Sequence, residues 1–96
     1  MAHFVILGNW TDQGVRNLKD APKHIEASRR MLEQAGGKQQ VYFTMGEYDF
    51  VVIAEAPNDE AMAKFLLSVG KQGNVRTKTL KAWTDADAAK ILAQLQ

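Results

Sequence analysis

Five consecutive apolar residues, Phe50-Val51-Val52-Ile53-Ala54, stand just after Tyr48-Asp49 and just before Glu55-Ala56-Pro57. The run is short and rich in β-favouring side chains, which predicts a strand. Successive side chains of a strand point to opposite faces of its sheet, so a sheet with one wet face alternates apolar and polar residues. This strand places Tyr48, Phe50, Val52 and Ala54 on one face and Asp49, Val51, Ile53 and Glu55 on the other. Both faces are apolar at their centres, and any fold the chain adopts has to cover both.

The rest of the chain supplies one of those covers. Phe4 to Trp10 reads as a first strand, and Thr11 can cap a short helical stretch, Thr11 to Lys19, that restarts after Asp20 because Pro22 is tolerated only in a first turn. From Pro22 to Ala35, Ile25, Ser28, Met31, Leu32 and Ala35 share one side of a helix, with His24 beside them and Glu26, Arg29, Arg30 and Glu33 opposite. Gly36-Gly37 ends that helix. Lys38 to Met45 forms a second strand, with Val41, Phe43 and Met45 on one face and Gln40, Tyr42 and Thr44 on the other. A short turn at Gly46-Glu47 leads into the third strand, Tyr48 to Ala56, as an antiparallel hairpin.

Asn58 caps a second main helix with Asp59 and Glu60 in its first turn and Met62, Phe65, Leu66 and Val69 as its buried stripe. Gly70 and Gly73 mark its end, Asn74 to Trp83 is the fourth strand, and Thr84 caps a last helix carrying Ala88, Ile91, Leu92 and Leu95 on one side. The order is β-α-β-β-α-β plus a terminal helix. It predicts an α+β, ferredoxin-like domain over residues 1–96, with a four-stranded antiparallel sheet and its helices on one face.

Two main helices cover one sheet face, so the apolar centre of the other needs a second cover. Strand one agrees, with Phe4 and Ile6 on one face and Val5 and Leu7 on the other. Each large apolar side chain left in water forgoes roughly 1.5 to 3 kcal/mol, which a small domain cannot absorb four or five times. The expected cover is a second copy of the chain, in a homo-oligomer whose minimal unit is a dimer. The competing expectation is that the C-terminal helix folds over part of the face, although its stripe is narrow.

Composition removes several function classes. The chain has no cysteine, which excludes disulfides, thiolate metal sites and a cysteine nucleophile. A net charge of +1 with interspersed acids and bases provides no clustered basic face for nucleic acid. No stretch approaches the roughly 20 apolar residues of a membrane span, and the N-terminus reads as a strand rather than a leader, so the expected location is the cytoplasm. Gly70-Lys71-Gln72-Gly73 is too short for a phosphate loop, and Ser28 and Ser68 lie inside helices, away from any nucleophile elbow.

Gly46-Glu47-Tyr48-Asp49 with the following Phe50 to Pro57, and Gly73-Asn74-Val75-Arg76-Thr77 in the fourth strand, resemble the bacterial GYD-domain family, named for its glycine, tyrosine and aspartate. The resemblance runs over almost the whole chain, with Glu47 at the variable position. It implies membership of the dimeric α+β barrel superfamily, in which two ferredoxin-like sheets pack face to face. That superfamily includes oxygenases, isomerases, haem-degrading enzymes and ligand-binding regulatory domains, so the resemblance implies no single chemistry.

The candidate site residues are Asn9, Trp10, His24, Tyr48 and Asp49. Gly46 reads as a turn glycine. Asp49 enters a strand of otherwise buried residues, and a carboxylate there either accepts turn amides or lines a pocket, where it would serve as general base. His24 faces the apolar side of its helix, either as a hydrogen-bonded core residue or at the mouth of a helix–sheet pocket. Tyr48 reads as a packed tyrosine with its hydroxyl on a polar partner. Asn9 and Trp10 together are similar in type to the residues with which cofactor-independent oxygenases of the superfamily hold aromatic substrates.

A two-histidine-one-carboxylate set of His3, His24 and Asp49 or Glu55 is the one conceivable metal triad. With two histidines and no thiol it is thin, and no metal and no cofactor are expected. Trp83 reads as an interface or core aromatic, and Arg76 and Lys78 as solvated or paired with Glu55 or Asp49. Two functional readings follow. One is a small-molecule-binding dimeric barrel, extending to a cofactor-independent enzyme on a small organic substrate with Asp49 and His24 as its polar groups. The other is a non-catalytic sensor or assembly module. An enzyme needs Asp49 or His24 within reach of a cavity, whereas in a structural module both are satisfied by backbone.

Overall fold

The computed structural model describes residues 1–96. Four strands, β1 (Ala2–Trp10), β2 (Lys38–Phe43), β3 (Phe50–Ala56) and β4 (Val75–Ala82), form one antiparallel sheet in the order β2-β3-β1-β4. Between β1 and β2 run α1 (Asp12–Arg16), one turn of 3-10 helix (Leu18–Asp20) and α2 (Ala21–Gln34). The helix α3 (Asp59–Gly70) crosses from β3 to β4, and α4 (Asp85–Leu92) follows β4. This is the ferredoxin-like arrangement, with the central pair β1 and β3 contributed by the two halves of the chain.

The helix boundaries follow from local chemistry. Thr11 accepts the Gly14 amide at 3.1 Å, Asn58 the Ala61 amide at 2.8 Å and Thr84 the Asp87 amide at 3.1 Å, so three of the four helices begin at an oxygen that satisfies an otherwise orphaned donor. Pro22 sits in the first turn of α2, where no amide hydrogen is needed.

The core lies between the helices and one sheet face. Phe4 and Ile6 of β1, Phe50, Val52, Ala54 and Ala56 of β3, Leu32 of α2, Met62 and Phe65 of α3 and Val75 of β4 form a single buried cluster. The two sheet faces separate as the alternation requires: Phe50, Val52, Ala54 and Ala56 are buried, while Val51 and Glu55 are half-buried and Ile53 is exposed. Val5 and Leu7 of β1 are half-buried beside them, and Tyr42 and Leu80 stand exposed on the flanking strands. Register places all six apolar residues on the face away from the helices.

Two expectations need correction. The hairpin is not closed by a two-residue turn, since β2 ends at Phe43 and β3 begins at Phe50. The ladder opens because the Asp49 amide donates to Gly8 O of β1 at 2.9 Å, while Thr44 spans the loop by donating its amide to Asp49 O and its hydroxyl to Tyr48 O. Second, α4 does not fold over the open sheet face: it has no buried residue, and Ile91, Leu92 and Leu95 are exposed. Of the two readings of Arg76 and Lys78, solvated or paired with Glu55 or Asp49, the first holds, since both are exposed. Glu55 is taken by Lys38 at 3.1 Å and by His3 at 3.6 Å, both nearer to it across the sheet. No helix is long and apolar enough to cross a membrane.

Candidate functional site

The sequence candidates divide between the two faces of the sheet. Asn9 and Asp49 share the open-face row of β1 and the entry to β3, at the end of the sheet where the Gly46–Asp49 loop meets β1. Trp10 and His24 face the other side, around a cleft. The geometry therefore brings together two pairs rather than one constellation of five.

Asp49 is a clamp. Its Oδ2 accepts the Trp10 amide at 2.9 Å and the Asn9 side-chain amide at 3.4 Å, and Asn9 Nδ2 also donates to Glu47 O at 3.0 Å. A carboxylate accepting from backbone is among the stronger hydrogen-bonding arrangements, and here it ties the loop to the last residues of β1. Gly46 makes the loop possible: its φ is +115°, a conformation that side chains rarely adopt, although space beside it is open. The glycine and the aspartate thus serve one turn, and Tyr48 contributes its carbonyl to the same closure.

The cleft lies between α2, α3 and the sheet and encloses about 90 Å³. Its floor is Ile6, Phe50, Val52 and Val75, its walls are Ile25 of α2 and Phe65, Leu66 and Val69 of α3, and Trp10 and Phe43 close one end. Trp10 packs on Phe50 at 5.0 Å between ring centroids and meets Phe43 edge-on at 6.0 Å, so the aromatic end is built from three strands. His24 is exposed and stands at the rim. It is not the backbone-satisfied core histidine that one reading allowed, and nothing charged stands with it inside the cleft.

The cleft also has polar lining residues outside the five candidates. Ser28 donates to Ile25 O at 2.7 Å and accepts from Gln39 Nε2 at 2.9 Å, while Asn74, Thr77 and Gln72 border the opposite side. Gln39 carries a usable signal: it alternates in phase with Val41 and Phe43, which puts a polar side chain in the cleft-facing row of β2. His3 and Glu55 meet near the far end of the sheet from Asp49 and His24, so the conceivable metal triad is not assembled.

The GYD domain profile matches residues 4–92. The chain belongs to the GYD-domain family. A Thermus thermophilus relative, described as a glutamine synthetase and cystathionine beta-lyase binding protein, is 35% identical over 98 residues, covering 100% of both sequences. Among solved structures, the M. tuberculosis feast or famine regulatory protein complexed with L-methionine superposes with a TM-score of 0.64 at 19% identity, over 88% of this chain and 54% of that one. This GYD-domain chain thus spans about half the length of that regulator. A Pyrococcus horikoshii protein matches with a TM-score of 0.57 at 23% identity, over 88% of this chain and 93% of its own. These structural likenesses establish the shared ferredoxin-like fold.

Proposed function

We propose that this GYD-domain protein is a non-catalytic, homodimeric binding module whose target is another protein, with glutamine synthetase and cystathionine beta-lyase as first candidates. The observation that carries this reading is the full-length relationship to the Thermus protein described as binding those two enzymes. The Asp49 half of the site supports it, because the carboxylate best placed in sequence to act as a base is engaged by the Trp10 amide and Asn9, whereas His24 lines the cleft. The half-exposed row of Val5, Leu7, Val51, Ile53, Tyr42 and Leu80 supports pairing of two copies through the open sheet face.

With that face covered, the hairpin tip still presents an exposed apolar surface to a different protein. Met45 is 100% exposed there and Phe43 63% exposed. Binding of purified glutamine synthetase and of purified cystathionine beta-lyase to the immobilised chain tests the reading directly. Saturable binding that is lost in Met45→Glu is expected. Absence of binding to both enzymes at micromolar concentration would overturn the protein-target assignment.

The cleft favours a second reading, in which the protein also takes a small uncharged organic ligand. Its floor is apolar and its rim offers Ser28, Gln39 and His24 for orientation.

A further inference from the structure

We infer that α4 is an arm that packs on the second copy of the chain, and this rests on the homodimer proposed above. Within its own chain the helix has no cover. None of its residues is buried, and Ile91, Leu92 and the following Leu95 are 47%, 61% and 70% exposed. Ala88, Ile91, Leu92 and Leu95 recur at the spacing of one helix face, which is the pattern of a helix made to be packed. Eight residues are also too few to hold a helix in water unaided, since isolated helices shorter than about 12 to 15 residues are marginal.

The chain's own apolar cleft cannot be the cover. β4 pairs Val75 with Trp10 at the cleft end of the sheet and Ala82 with His3 at the opposite end, and α4 leaves from the latter. The overall dimensions agree: the long axis is 52 Å, whereas the longest strand, with nine residues, accounts for roughly 30 Å at 3.3 Å per residue. The radius of gyration is 14.6 Å, where a compact chain of this length would have about 12.5 Å.

The exposed area agrees with a cover that the chain itself does not supply. A folded monomer of 10.7 kDa exposes roughly 5,500 Å², and this chain exposes 6699 Å². The surplus of roughly 1,200 Å² exceeds the roughly 800 Å² that each partner buries in an interface of standard size, leaving area beyond one sheet-face contact for a second covered element. Continuity supplies the rest. Leu80 and Ala82 lie on the open face, and only Trp83, 56% exposed, and Thr84 separate them from α4. A copy seated on Leu80 lies within reach of the arm, and two-fold symmetry makes the contact reciprocal.

Two measurements on the full chain test this. In sedimentation equilibrium, the double variant Ile91→Glu/Leu92→Glu is expected to raise the dimer dissociation constant at least tenfold while the amide spectrum of the sheet is preserved. The absence of native cysteine permits the second: a nitroxide on Ala93→Cys, mixed with an isotope-labelled unmodified copy, is expected to broaden amide signals of the labelled copy. A wild-type dimer with an unchanged dissociation constant in the double variant and no broadening between copies would overturn the arm and leave the dimer standing. A chain that is monomeric at every concentration would overturn both.

Discussion

The two faces of the sheet are close in apolar content and opposite in fate. On the helix side Phe4, Ile6, Phe50, Val52 and Ala54 are each under 10% exposed, sealed by Leu32, Met62 and Phe65. On the open side Ile53, Tyr42 and Leu80 are each near half-exposed. The difference lies in the cover and not in the strands, because β1 and β3 feed both faces with β-branched or aromatic residues. A strand sequence therefore reports that a face is to be buried, and it takes the rest of the chain to show by what.

The strongest way to sharpen this contrast is at Leu32, which is fully buried on the helix side. Leu32→Ala is expected to cost about 2 to 5 kcal/mol, and at about 4 to 8 °C per kcal/mol the melting temperature should fall steeply whatever the protein concentration. The matching change on the open face is Val51→Asp. Its expected effect is on assembly: gel filtration should no longer give the proposed dimer, and the uncovered face should lower the melting temperature as well. An unchanged elution volume would show that the open face is not the contact and that the contrast between the faces has another origin.

The smallest effect is expected at the junction of the two faces, where Asp49 holds the loop. Asp49→Ala leaves the Trp10 amide without its acceptor and should destabilise by about 1 to 3 kcal/mol, read by urea denaturation. If binding of a target enzyme were abolished in Asp49→Ala while stability was untouched, the clamp assignment would be wrong and a direct binding role would replace it.

Most of the fold was legible because each element announces itself locally. Thr11, Asn58 and Thr84 mark helix starts, Pro22 marks a restart, and the periodicities of α2, α3 and β3 identify their buried sides. The hairpin was misread because its loop is shaped at long range, by hydrogen bonds from residues 44–49 to each other and to β1, for which strand periodicity carries no signal. The division of the candidate site has a different and local cause. Neighbours in sequence, Asn9 and Trp10, point to opposite sides of the sheet, so the five candidates could not form one pocket. Two of the cleft's other polar residues, Ser28 and Gln39, are 11 positions apart and meet only through packing of α2 on β2.

One feature of the cleft floor restricts how the molecule can change. A Cβ at Gly8 would lie 2.0 Å from the ring of Phe50, so the bare backbone at position 8 is the seat of that ring. Trp10 and the cleft's aromatic end rest on the same ring, and the strand that supports it also receives the Asp49 clamp. Positions 8 and 50 are thus a single unit of variation. Any descendant that acquires a side chain at the first must move or shrink the ring at the second, and either change would redraw the cleft beside the loop that gives the family its name.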